Sequence, residues 1–384
     1  MSWPLSLRLA LFYGAVFAVI GIQLPFWPLY LDAKGMGAAE IGQLLAAGYL
    51  IKIITNPLIG HLVDRRGDRR RPMLALAAAS LLATLLYGVS HSFGELLAVT
   101  LLSAAAFTAM MPLGDSLTML SSISHRLDYG RVRLWGSLSF IAVSSAAGLL
   151  LVEAPRAAIL WSTVGAMLLT LAAVTLLPDI RREPSACRPQ PLLPLLLSRP
   201  FLLFLAATSL TQVGHMMYYG FATLHWRAAG LSGGTIGALW AEGVIAEVIL
   251  FACGARVVAR FGPAAMIGSA GLAGMVRWTV LAASTDPWAL ASVQFLHAFT
   301  FGASHLGAMH FINRATPPGM SARAQGLYSS ITAGVVPGLA MLIAGSLYQS
   351  LAANAFLVMS AVSAGALGLA LLLHRSWRGG LVTV

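Results

Sequence analysis

Along this chain, runs of about twenty apolar residues alternate with short polar breaks from one end to the other. Wound as a helix at 1.5 Å per residue, such a run matches the hydrocarbon thickness of a bilayer. The pattern predicts twelve spanning helices, near residues 7–29, 41–63, 73–89, 96–120, 132–152, 157–177, 201–226, 235–255, 264–283, 288–312, 324–347 and 355–373. The longest break, rich in Pro and Arg, separates six spans from six. The expected architecture is an all-α integral membrane protein with two six-helix bundles, over 1–177 and 200–384, joined by a cytoplasmic linker over 178–199.

Composition agrees with this. Hydrophobic residues make up 58% of the 384 and charged residues only 10%, which excludes an ordinary soluble fold. The net charge of +11 would suit nucleic acid, but its placement does not. Nineteen of the 24 basic residues fall in alternate breaks on one side of the layer, and Lys34, Arg156 and Arg227 lie on the other. Basic loops stay cytoplasmic, so both termini are expected inside the bacterial inner (plasma) membrane, with the arginines against anionic lipid. The first segment has a weakly charged start and no small-residue cleavage site, so it reads as a retained span. Cys187 and Cys253 offer neither a disulfide framework nor a metal set. No HExxH, nucleophile elbow or Gly-x-x-x-x-Gly-Lys-Ser loop is present, which argues against an enzyme and against ATP as energy source. No cofactor is expected.

Ionisable residues inside the spans are the candidates for function. A charge at membrane depth costs roughly 2.5–3.5 kcal/mol on insertion scales, so such residues face the bundle interior and take partners. Asp115 and Arg133 lie nine residues either side of Ser124, in the turn between spans four and five. An antiparallel pair would hold them at similar depth, as an ion pair locking two helices or as a substrate and proton site. Lys52, within span two, either pairs internally or snorkels. On span eight, Glu242 and Glu247 are about 140° apart, so both cannot face one cavity directly. Span nine carries Arg277, and span ten carries His297, His305 and His310, with the first two histidines on one face. For His297, a hydrogen-bonding role and a proton relay both stand, because Arg and Glu lie on adjacent spans. Pro25-Phe-Trp-Pro-Leu-Tyr30 reads as an interface anchor whose prolines can break the first helix.

Span two ends in Gly60-His-Leu-Val-Asp64-Arg65-Arg-Gly67-Asp-Arg69-Arg70-Arg71. Gly60 permits close helix approach, Asp64 can accept from a neighbouring helix N-terminus, and Gly67 allows a tight reversal. Arg65-Arg-Gly67 recurs 195 residues later as Arg260-Phe-Gly262, an echo that implies related halves, with Ala259 in the place of Asp64. The loop closely resembles the signature of the major facilitator superfamily, Gly-x-x-x-Asp-Arg-x-Gly-x-Arg-Arg. That resemblance implies a conformational latch built from Gly60, Asp64, Arg65, Gly67 and Arg69.

Three further motifs narrow the resemblance. They are Tyr129-Gly-Arg131-Val-Arg133-Leu-Trp-Gly136-Ser137, then Leu239-Trp240 with Ala246-Glu247-Val248, then Leu296-His297 with Thr300-Phe301-Gly302 and His305. Together they resemble the branch containing the phenylpropionate permeases, with lactose permease more distantly similar. In the lactose relative, an Arg on span five pairs with an acid eighteen residues earlier to bind sugar; Arg133 and Asp115 match those positions. An Arg and a His twenty residues apart also match, as Arg277 and His297, but the acid that follows three residues later there is Thr300 here.

The resemblance implies a secondary active transporter with alternating access, acting as a monomer on a small organic acid, aromatic in the manner of that branch, by proton symport. Substrate-binding residues would be Asp115, Arg133, Arg277 and His297, and proton coupling would fall to Glu247, Asp115 or His297. A sugar or nucleoside symporter is the alternative, with a drug or metabolite exporter behind it and an integral-membrane enzyme or sensor as the rival class.

Overall fold

The computed structural model describes residues 3–125, 127–178, 195, 197–316, 320–377 and 379–382; the side chains of residues 64, 66, 122–124, 255, 321 and 322 lie outside that description. Most of the expected linker, with Cys187, Arg181, Arg182 and Arg188, also lies outside it, as does the side chain of Asp64. The described residues form helices and no strand: α1 (Leu5–Ala33), α2 (Ala38–Arg66), α3 (Arg70–Leu86), α4 (Phe93–Phe107), α5 (Met110–His125), α6 (Tyr129–Leu151), α7 (Ala157–Thr175), α8 (Arg199–Ala228), α9 (Gly233–Phe261), α10 (Pro263–Ala283), α11 (Pro287–Gln294), α12 (Ser304–Ala315), α13 (Ser321–Ser330), α14 (Val336–Leu351) and α15 (Ala355–Ser376). Two π-helical segments interrupt this series, Ala298–Ala303 before α12 and Ile331–Val335 between α13 and α14.

Nine helical stretches among the described residues are long and apolar enough to cross a membrane. One of them, Arg323–Ser376, has 54 residues, about twice the length one pass needs, and turns at Ala352–Asn354. With α3, which has 17 residues, and the interrupted stretch from α11 to α12, the set is consistent with twelve passes. The chain is an all-α, multi-pass membrane protein.

Local chemistry sets where helices stop. Gly67 takes φ 69° after α2 and its N–H bonds the Val63 carbonyl at 2.9 Å. Gly262 takes φ 78° after α9 and bonds Val258 in the same way, also at 2.9 Å. Only glycine takes such a positive φ without cost, so the echo in sequence marks two helix ends that each need a glycine, although ψ differs, −6° at Gly67 and 163° at Gly262. Ser92 and Glu95 form a reciprocal capping box at the start of α4. The break between α4 and α5 falls at Thr108, four residues before Pro112, which has no N–H to return to that carbonyl.

The chain forms two compact units, residues 1–186 with 231–241, and 187–230 with 242–384. In the first, α1 packs against α6 and α7 around Leu9, Phe12, Val16, Leu117, Val132 and Val174. Arg8 and Arg70 donate to the Leu176 and Thr175 carbonyls, satisfying the open end of α7. In the second, α15 packs on α8 and α10. A Cβ on Gly271 would lie 2.7 Å from the Leu367 nitrogen, so the two backbones meet there because the residue is glycine.

Three expectations are corrected here. Pro25 and Pro28 do not break α1, which runs on to Ala33. Trp27 and Tyr30 do not anchor the lipid interface; both are buried, stacked on each other at 4.7 Å, with Trp27 edge-on to Tyr87 at 4.8 Å. Gly60 also departs from its expected role, since a Cβ there would meet nothing within 4 Å.

Candidate functional site

Each unit gathers ionisable side chains inside its apolar helices. In the first, residues four apart share a helix face. Tyr13 and Phe17 of α1 thereby meet Tyr129 and Arg133 of α6, with Asp115 of α5 beside them. Tyr13 donates to Asp115 Oδ1 at 2.6 Å and Tyr129 donates to the same oxygen at 3.0 Å. Arg133 lies over the rings of Phe17 at 4.2 Å and Tyr13 at 5.4 Å. A Cβ on Gly136 would come within 2.8 Å of Phe17 and 3.0 Å of Arg133 Nη1, so the glycine leaves this stack its room.

The expected direct pair is therefore corrected. Asp115 and Arg133 share one cluster, but Tyr13 touches both and no ion pair within 4.0 Å joins them. Among the described residues, Arg133 is held by ring faces alone and its N–H groups make no hydrogen bond. A half-buried guanidinium with its fork unused is a site for an oxyanion.

In the second unit, Arg277 of α10 is fully buried. It donates to Gln294 Oε1 at 2.7 Å, to His297 Nδ1 at 3.1 Å and to Thr300 Oγ1 at 3.2 Å. Its face rests on Tyr218 at 4.4 Å and Trp278 at 4.8 Å, while Nε has no hydrogen-bond partner. The Nε2 of Gln294 is likewise buried and unpartnered. His297 and Thr300 belong to the tenth span where it enters its π segment, a geometry frequent at functional sites. On α9, Gly243 packs against His297, and Glu247 Oε2 lies 3.5 Å from His297 Nε2.

The partners assign the protons. Arginine only donates, so His297 Nδ1 accepts, and its proton sits on Nε2, pointing at Glu247. His215 of α8 bonds the Thr211 carbonyl through Nδ1 at 2.9 Å, which makes that nitrogen the donor. Its Nε2 lies 3.2 Å from the Thr300 hydroxyl, which can donate or accept. His297 is therefore neutral in this network.

The structure thus brings Arg277, His297 and Glu247 together, and Asp115 and Arg133 into one cluster around Tyr13. In the loop after α2, Arg69 is buried with Nε on Ser116 Oγ at 3.0 Å, while Arg65 is exposed. Lys52 lies over Tyr49 at 4.5 Å. Sequence reasoning missed Tyr13, His215, Tyr218 and Gln294, whose only signal was a polar group inside an apolar span.

These ionisable clusters lie inside apolar, membrane-crossing helices, and the proteins to which the chain is similar are multi-pass membrane transporters, not enzymes. The chain belongs to the MFS_1 like family, whose model matches residues 6–358, and it has the major facilitator fold. It is 36% identical over 369 residues to a probable 3-phenylpropionic acid transporter of Escherichia coli (strain K12), covering 92% of this chain and 94% of that one. It is 29% identical over 347 residues to the maltose permease of Geobacillus stearothermophilus, covering 88% and 86%. A crystal structure of the nucleoside transporter NupG, in a mutant form, superposes with a TM-score of 0.84 at 15% identity, covering 97% of this chain and 98% of that one; the likeness is one of fold.

Proposed function

We propose that this protein is a secondary active transporter of a small organic acid, aromatic in its preferred form, driven by proton symport. It acts in the bacterial plasma membrane as a monomer, with both termini cytoplasmic. The observation that carries the reading is Arg133, a guanidinium at membrane depth with no hydrogen bond and no carboxylate partner among the described residues. A carboxylate supplies the missing acceptors bidentately, and the rings of Phe17 and Tyr13 beside it suit a phenyl group. The 36% identity to a relative named for 3-phenylpropionic acid supports the same substrate class. In the second unit, Arg277, His297 and Glu247 form the acid and base cluster to which proton coupling is assigned, and Asp115 is the corresponding acid of the first.

Uptake tests this directly. Labelled 3-phenylpropionate should accumulate unchanged in vesicles, and a protonophore should abolish the accumulation. A second reading, a sugar symporter, is favoured by the maltose permease relative. Accumulation of maltose, with none of 3-phenylpropionate or a benzoate, would replace the organic acid by a sugar.

The loop from Gly60 to Arg71 is assigned to gating. Asp64→Asn should slow transport at least several-fold while leaving substrate affinity nearly unchanged. A variant with normal turnover and greatly weakened binding would remove Asp64 from gating.

A further inference from the structure

Lysine is scarce in this chain: Lys34 and Lys52 stand beside 22 arginines, and the two are used differently. Lys34, just after α1, donates to the Ser90 and Gly88 carbonyls at 2.9 and 3.3 Å. Lys52, half-buried on α2, makes no hydrogen bond or ion pair with any described residue; its ammonium rests over the Tyr49 ring. It stands fourteen residues from each end of α2, about 21 Å from either, too deep for a four-carbon stem to snorkel. Nor does it look out of the unit. Ile54, Leu58 and Leu62 form the exposed stripe of α2, and Lys52 lies about 160° round the helix from Ile54. Its own face, Gly48, Lys52 and Asn56, turns toward α4. There a Cβ on Gly48 would meet Ala104 and Thr100, and Asn56 Oδ1 accepts from Thr108 at 3.1 Å. The Nδ2 of Asn56, one turn from Lys52, makes no hydrogen bond with a described residue. No acid of the unit is placed to serve them. Asp115 alone lies more than two residues inside a described helix, and its Oδ1 is taken by Tyr13 and Tyr129.

We propose that Lys52 and Asn56 form a second carboxylate subsite, so that the preferred substrate is an aromatic acid with a second carboxylate across its ring. A cation at mid-membrane without a carboxylate of its own is costly until an anion meets it. The ammonium supplies the charge and the Asn56 amide a directed donor. Arg133 stands four residues inside α6, whose start lies on the same side of the layer as the end of α2, because α3 and then α4 with α5 cross over and back. Lys52 is therefore roughly 15 Å deeper than Arg133 along the helices. One carboxylate cannot serve both cations, whereas two at opposite ends of a ring reach one each through the long Lys and Arg side chains. Phe17 and Tyr13 beside Arg133, and Tyr49 beside Lys52, offer ring faces to the arene.

The inference rests on the organic-acid reading for its substrate, and two measurements on the purified carrier keep the two apart. In direct binding, 3-(4-carboxyphenyl)propionate should bind wild type at least about tenfold more tightly than 3-phenylpropionate, the gain of one charge-assisted contact. Lys52→Gln should erase that preference and Lys52→Arg should keep most of it. Monodisperse elution checks folding, which losing an unpaired membrane charge should leave intact. Equal binding of the two acids by wild type, or a preference that survives Lys52→Gln, would overturn the subsite. The second measurement needs no aromatic ligand. Reductive methylation with carbon-13 labels the two lysines besides the N-terminal amine and keeps their charge, and Lys52→Arg identifies the Lys52 signal. Acetate should move that signal and leave the Lys34 signal in place, while chloride at equal ionic strength should move neither. A Lys52 signal that acetate leaves unmoved, or that chloride moves as far, removes the subsite. If wild type binds neither aromatic acid while acetate moves the Lys52 signal alone, the aromatic-acid reading fails and the carboxylate subsite stands.

Discussion

Arg133→Lys should weaken binding of 3-phenylpropionate by about 10- to 100-fold while changing folding stability by less than about 1 kcal/mol. The first number follows from losing one arm of a bidentate, charge-assisted contact, about 1.5–3 kcal/mol, at about 1.4 kcal/mol per tenfold. The second follows from what Arg133 does not do: it bonds no described residue, so its replacement strands no buried acceptor. What it loses is ring stacking on Phe17 and Tyr13, worth roughly 0.5–1 kcal/mol at partly exposed sites, and Lys keeps part of that. Direct binding and thermal unfolding of the purified variant decide the matter. Unchanged affinity would remove Arg133 from the binding site. A stability loss as large as the affinity loss would make it a structural cation. Asp115→Asn adds a control, because the carboxamide oxygen still accepts from Tyr13 and Tyr129. It should leave Arg133 in place, whereas a direct ion pair would have released it.

How far the sequence carries the reader depends on the quantity in question. Depth is legible, because it follows from counting residues along a helix. Asp115 and Arg133 do meet one cluster, Arg277 and His297 do bond across twenty residues, and the two glycines 195 residues apart both end a helix with positive φ. Facing is much less legible. In a bilayer the outward face of a helix is as apolar as the inward one, so periodicity does not separate them. That is why Trp27 and Tyr30 read as lipid anchors yet lie buried against Tyr87. The same limit hid Tyr13, whose hydroxyl reaches Asp115 before Arg133 can. Local geometry is the third gap. A 3.6-residue period is silent about the π segment from Ala298 to Ala303, which sits between His297 and α12. The angle between Glu242 and Glu247 was readable, but not which of them His297 would engage.

Arg277→Gln should be the most damaging single change in the second unit, because two losses coincide. The guanidinium donates to Gln294, His297 and Thr300, and each acceptor it leaves unpaired in a buried site costs about 1–3 kcal/mol. It also removes the cation that balances the α9 carboxylates, and breaking such a buried balance typically costs about 3–5 kcal/mol. The variant is therefore expected to express poorly or unfold at much lower temperature. Glu242→Gln placed in the same chain should recover much of that stability, since it removes the carboxylate that Arg277 faces without a hydrogen bond. Glu247→Gln in that position should recover less, because it gives up the acceptor of the His297 proton as well. If Arg277 served packing alone, the double variant Arg277→Gln with Glu242→Gln would regain uphill accumulation of substrate together with stability. If the cluster carries the proton, that double variant folds, exchanges substrate across the membrane and does not accumulate it. Thermal unfolding and protonophore-sensitive uptake, measured on both single variants and the double, separate the two outcomes.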